Sequence, residues 1–139
     1  MKNILRTVKT YEDFIYSLAN QYPQIQFSTL VVKRYGSLVA EISGTIFFKN
    51  EVKLNIKELI DFRYCTIKTY SYEVFVQNKK QYWYDPQPHP NDQSLRENFP
   101  HHKHVPPEIK HNRIPAKQLS FNTENCTTLI SEIIEKYFE

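Results

Sequence analysis

Val52-Lys53-Leu54-Asn55-Ile56-Lys57 alternates apolar and polar side chains without a break, and a period of two marks a strand with one face buried. Working outward, Asn50 supplies a turn before it, and Leu38, Ala40 and Ile42 begin a similar alternation that runs to Phe48. Gly36-Ser37 reads as a hairpin turn joining that strand to a β-branched and aromatic run from Ile25 to Tyr35. On the other side, Tyr64 to Gln77 places Tyr70, Tyr72, Val74 and Val76 on one face. Asn78-Lys79 then turns the chain into a short last strand, Gln81 to Tyr84. Links this short demand antiparallel pairing, because a parallel return needs a crossover of about a dozen residues.

Helical patterns flank the strands. Thr10 and Asp13 resemble a capping box, and Tyr11, Phe14, Ile15 and Leu18 follow at helical spacing until Pro23. A second helix, capped near Thr123, carries a stripe of Cys126, Leu129, Ile130, Ile133 and Tyr137. The expected architecture is α+β: a five-stranded antiparallel meander with both helices on one face, in a single domain spanning 1–139.

Composition agrees with a soluble protein. Hydrophobic residues make up 40% and charged residues 24% of the 139, and no apolar run approaches the roughly 18 residues of a membrane helix. Only two glycines are present, so turns must lean on Asn, Asp and Pro. Cys65 and Cys126 match no zinc or redox spacing. With no signal peptide legible, they read as reduced thiols of a cytoplasmic protein.

The chemistry gathers elsewhere. All five histidines, His89, His101, His102, His104 and His111, lie within 23 residues, and seven of the eight prolines fall between Pro86 and Pro115. Arg96 to Lys117 holds five bases against two acids, a surplus equal to the whole net charge of +3. The segment from about 85 to 121 therefore reads as a long Pro/His-rich functional loop. Phe99, Val105, Ile109, Ile114 and Leu119 are spaced to pin it to the fold. A positive field beside titratable imidazoles favours a phosphate-bearing partner.

In Phe99-Pro100-His101-His102-Lys103-His104-Val105-Pro106-Pro107, an extended backbone puts His102 and His104 on one face and His101 and Lys103 on the other. Two imidazoles can serve as general base and general acid on opposite sides of a phosphodiester, with Lys103, Lys110 or Arg113 stabilising charge at phosphorus. That equips a metal-independent ribonuclease, and no cofactor is expected. A metal site using the histidines with Asp85 and His89 is the second reading. Some rings, His111 first among them, can instead merely fix the loop to carbonyl oxygens. Tyr70 and Tyr72 reach the loop either to bind substrate or to pack. Glu58 reads as a surface carboxylate sooner than as an acid/base partner. No Gly-rich phosphate loop, nucleophile elbow or dinucleotide fingerprint occurs.

Tyr70-Ser71-Tyr72, Trp83-Tyr84-Asp85-Pro86 with Pro88-His89-Pro90, and Phe99-Pro100-His101-His102-Lys103-His104 together resemble the TumE family of prokaryotic toxin–antitoxin toxins. The tail from Val105 to Ala116 is similar to a branch common in cyanobacteria and some archaea. The resemblance implies a toxin acting on RNA and a cognate antitoxin that is often a DNA-binding protein. The expectation is thus a toxin working as a cytoplasmic endoribonuclease, with no membrane partner and a homodimer as one possible assembly. His102, His104, His101 and Tyr72 form its catalytic set, and Lys103, Arg113, His89, Lys110 and Tyr70 contact the substrate. Two alternatives stay open: a non-catalytic module that grips nucleic acid or protein through its basic loop, and a metal-dependent nuclease. A toxin using other chemistry, such as base or nucleotide modification, is not excluded by the sequence.

Overall fold

The computed structural model describes residues 3–139. It is α+β, as expected, but the antiparallel sheet has eight strands in place of five. These are β1 (Ile25–Ser28), β2 (Val31–Tyr35), β3 (Val39–Phe48), β4 (Val52–Asp61), β5 (Thr66–Val76), β6 (Lys79–Asp85), β7 (His102–His104) and β8 (Arg113–Pro115). The order across the sheet is β1-β3-β4-β5-β6-β7-β8, with β2 also on β3. Helix α1 (Val8–Gln21) precedes the sheet and α2 (Cys126–Tyr137) follows it. No helix among the described residues is long and apolar enough to cross a membrane.

Two causes account for the extra strands. The run from Ile25 to Tyr35, read above as one strand, bends at Thr29-Leu30, and both halves pair with β3. The bend presses the Thr29 and Leu30 backbone onto Gly44, where an added Cβ would stand 2.6 Å from the Thr29 carbonyl oxygen. Only glycine tolerates that approach, and φ of +140° at Gly44 suits it as well. The other two strands come from the segment read as irregular loop. His102–His104 pairs with β6 and Arg113–Pro115 pairs with β7, so proline-rich chain continues the sheet at its edge.

The helix ends also differ slightly from expectation. The Thr7 side chain, not that of Thr10, caps α1 by accepting from the Thr10 amide at 3.1 Å. Asn125 precedes α2 without a side-chain cap to that helix. The β3–β4 and β5–β6 hairpins turn through Asn50-Glu51 and Gln77-Asn78, all four with positive φ. That is the turn geometry that matches strand twist.

Both helices cover one face of the sheet. Tyr11, Ile15 and Leu18 of α1 and Leu129, Ile130 and Ile133 of α2 are buried against Ile42, Ile46, Leu54, Ile56 and Val74. Burying each such aliphatic side chain contributes about 1.5–3 kcal/mol. Register shows which residues fall on which face. Ile56, Tyr72, Tyr84, Lys103 and Ile114 pair in succession across β4 to β8 on the helix side. Asn55, Glu73, Trp83, His104 and Arg113 pair in succession on the opposite side, which neither helix covers.

Candidate functional site

Three chemically active side chains converge on the face away from the helices. Asp85 ends β6, and His102 and His104 sit two apart on β7, so strand alternation aims both rings to the same side. Cross-strand pairing then sets Asp85 opposite His102 and Trp83 opposite His104. His102 Nε2 lies 3.0 Å from Asp85 Oδ1, and His104 Nε2 lies 3.4 Å from Asp85 Oδ2. The two Nε2 atoms are 3.1 Å apart. Trp83 stacks flat on the His104 ring with centroids 3.7 Å apart, and His89 meets the His102 ring edge-on at 5.1 Å.

The far nitrogens fix the tautomers. His102 Nδ1 faces the Pro100 carbonyl oxygen at 3.1 Å, and His104 Nδ1 faces that of Ile109 at 2.8 Å. A carbonyl oxygen only accepts, so each Nδ1 carries the proton and each neutral ring presents a bare Nε2 to the cluster. Both rings are buried, at 1% and 4% exposure. Burial works against protonating His102. The hydrogen bond with Asp85, the Pro100 carbonyl and the Asp85 charge outweigh it and raise His102 above the ordinary imidazole value. At His104 burial prevails, aided by the charges of His102 and Arg113, and its pKa is lowered. Burial raises Asp85, but the His102 hydrogen bond and the Gln87 amide overcome that and hold it below the usual carboxylate range. The two imidazoles are thus pushed in opposite directions, His102 toward taking a proton beside Asp85 and His104 away from it.

An imidazole pair on opposite sides of a phosphodiester does not fit this arrangement. Nitrogens 3.1 Å apart and aimed at each other act on a single atom from a single side. The other sequence candidates divide by face. Arg113 pairs with His104 in register and shares its side of the sheet, and its Nε is buried with no partner among the described residues. Lys103 points the opposite way. Its ammonium lies 4.2 Å from the Tyr82 ring centroid and 3.4 Å from Glu132 on α2, so it faces away from Asp85 and His104. Lys110 and His111 are exposed on the β7–β8 connection.

His101 and the two tyrosines also lie on the helix side. His101 Nδ1 is 2.5 Å from the Tyr70 hydroxyl, and its ring packs on Phe121 at 4.4 Å. Burial, then the charge of His102, lower its pKa. Tyr72 is fully buried and donates to Glu58 Oε2 at 2.5 Å, so it does not reach the cluster. Glu58 itself is 1% exposed, which corrects its reading as a surface carboxylate. Sequence reasoning quoted Trp83 in a motif but gave it no part in the site, and gave Asp85 only a secondary place. Their spacing of two on one strand was the available signal.

A cleft of about 690 Å³ opens beside the cluster, lined by Lys68, Tyr70, Ser71, Trp83, Asp85 and Phe121 among others. Asp85 connects the buried imidazoles to this space, and three aromatic rings flank it. No curated protein and no solved structure matches the chain. The family model described as Toxin TumE matches residues 15–137, which include every residue of the cluster and the cleft.

Proposed function

The chain belongs to the TumE toxin family, and from that premise we propose that it is a toxin that cleaves RNA in the cytoplasm at the Asp85–His102–His104 cluster. A toxin of this kind has a cognate antitoxin as its partner. The observation that carries the reading is the one-sided convergence of two bare Nε2 atoms and a carboxylate beside an aromatic cleft. Such a centre takes the proton from the RNA 2′-hydroxyl, whose oxygen attacks the adjacent phosphorus. The bond from phosphorus to the 5′ oxygen breaks, leaving a 2′,3′-cyclic phosphate and a 5′-hydroxyl. His89, packed edge-on against His102 from a separate stretch of chain, returns a proton to the leaving oxygen in this reading.

Arg113 supplies the charge that stabilises the phosphorane, its unpartnered Nε being a donor in want of an acceptor. Trp83 and Phe121 offer faces on which an unstacked base can lie, and Lys68 lies near enough to meet a backbone phosphate. Lys103 has no part in the chemistry. The reading is tested with purified protein and a single-stranded RNA. His104→Ala is expected to slow cleavage by at least about 100-fold, the usual worth of a positioned acid or base. RNA left intact by the wild type, or cleaved at the wild-type rate by that variant, overturns the reading. Retained binding without products would then make the protein a nucleic-acid-binding module.

A further inference from the structure

We propose that Asp85, His102 and His104 together bind one divalent transition-metal ion of the zinc class. The argument begins with the count of protons and lone pairs. Both Nδ1 atoms are committed to the Pro100 and Ile109 carbonyls, so neither neutral ring has a hydrogen on Nε2. The three contacts at 3.0, 3.1 and 3.4 Å therefore bring lone pairs face to face. A single added proton on His102, even shared between Asp85 and His104, leaves the His104–Asp85 contact repulsive. A cation set between the two rings and the carboxylate satisfies all three at once.

The dimensions agree. Donors about 2.1 Å from a metal stand roughly 3.0 Å apart at right angles and roughly 3.4 Å apart at tetrahedral angles. The 3.1 Å between the two Nε2 atoms falls between those values, and each ring has its own Asp85 oxygen at 3.0 or 3.4 Å, so the carboxylate stands astride the same point. Two imidazoles and one carboxylate suit zinc, cobalt, manganese or iron better than the all-oxygen preference of magnesium or calcium. The carbonyls behind each ring are the outer partners that orient histidine ligands and set their tautomer. Burial of both rings shields the donors, while Asp85 leaves one side open toward the cleft. This is the pattern of a catalytic site, three protein ligands and a free position, and not of a closed structural one.

The inference deepens the nuclease reading without depending on it for its test. With Asp85, His102 and His104 holding it, the ion would supply Lewis-acid polarisation of a phosphate oxygen and a bound water of lowered pKa to the proton-accepting role. Full-length protein is stripped with chelator and titrated with Zn²⁺ by calorimetry and with Co²⁺ by visible absorption. One saturable equivalent is expected, with cobalt bands of low coordination number. His104→Ala and Asp85→Asn, each checked for folding by circular dichroism and melting, are expected to weaken binding by more than the roughly 10–100-fold that loss of an outer partner costs. His111→Ala, at an exposed histidine, is expected to bind as wild type does.

Absence of a saturable equivalent, or unchanged affinity in both folded site variants, overturns the metal site. So does loss of the equivalent in His111→Ala alone. RNA cleaved by stripped protein that then takes up no Zn²⁺ or Co²⁺ removes the ion and leaves the nuclease standing. One equivalent bound at the cluster, with RNA untouched, supports the ion and removes only the nuclease.

Discussion

Two groups of titratable side chains are packed into this sheet, one around Glu58 and one around Asp85, and they differ in how completely they are satisfied. Glu58 accepts from the Tyr11 hydroxyl at 2.6 Å on one oxygen and from the Tyr72 hydroxyl at 2.5 Å on the other. Asn125 in turn donates to Tyr72 at 3.1 Å. The network ties α1, β4, β5 and the start of α2 together, and each carboxyl oxygen has its own donor. Around Asp85 the balance is reversed, since acceptors outnumber the protons available to them. A buried polar group with its partners in place holds a fold together, while one lacking them is a standing demand for a ligand. The two clusters use similar residues for opposite ends.

Removing Glu58 should break that contrast most visibly. Glu58→Ala leaves two buried tyrosine hydroxyls without their acceptor, at about 1–3 kcal/mol each. The expected loss of roughly 2–5 kcal/mol is read from urea denaturation. The surviving folded molecules should still cleave RNA at close to the wild-type rate, because the network meets the cleft only where Tyr72 stacks behind Tyr70 and does not reach Asp85, His102 or His104. A large fall in turnover at unchanged stability would show that the two clusters are one.

Arginine and lysine on opposite faces sharpen the comparison next. Arg113→Ala is expected to slow cleavage by about 10²-fold or more with little change in melting temperature. Lys103→Ala should do the reverse, leaving turnover unchanged and costing about 1 kcal/mol through the lost contacts with Glu132 and the Tyr82 ring. Equal turnover losses in the two variants would mean that both cations reach the phosphate, against the register of β7.

The smallest effect concerns pH. Burial raises the Glu58 pKa, and the tyrosine hydrogen bonds offset that only in part. The folded protein therefore binds more protons than the unfolded chain above the ordinary carboxylate value of 4.5. Stability from this group is full below that value and is lost as pH rises through the folded pKa. The wild type should lose stability relative to Glu58→Gln as pH climbs from acid toward neutral. A difference that widens in favour of the wild type would reverse the sign and sink the assignment.

Much of the fold could be read locally. The alternation of Val52 to Lys57, the helical stripe from Leu129 to Ile133 and the turns at Asn50 and Asn78 are short-range patterns, and each became the element it suggested. The side-sharing of His102 and His104 was legible for the same reason, since period two needs only an extended backbone. What escaped was set at a distance. The break in β1–β2 depends on Gly44, fifteen residues beyond the bend at Thr29. Strand β7 forms because His102 to His104 finds the open edge of β6 across a proline-rich connection that reads as loop in isolation.

The amino-acid order by itself determined the α+β class, the antiparallel pairing and the grouping of imidazoles with cationic charge in one segment. Local periodicity and composition suffice for those. Only the tertiary structure decided that Asp85 completes the pair, that Lys103 turns away and that Glu58 is buried. Pairing partners and solvent exposure are properties of strands brought together from far along the chain, and no single segment contains them.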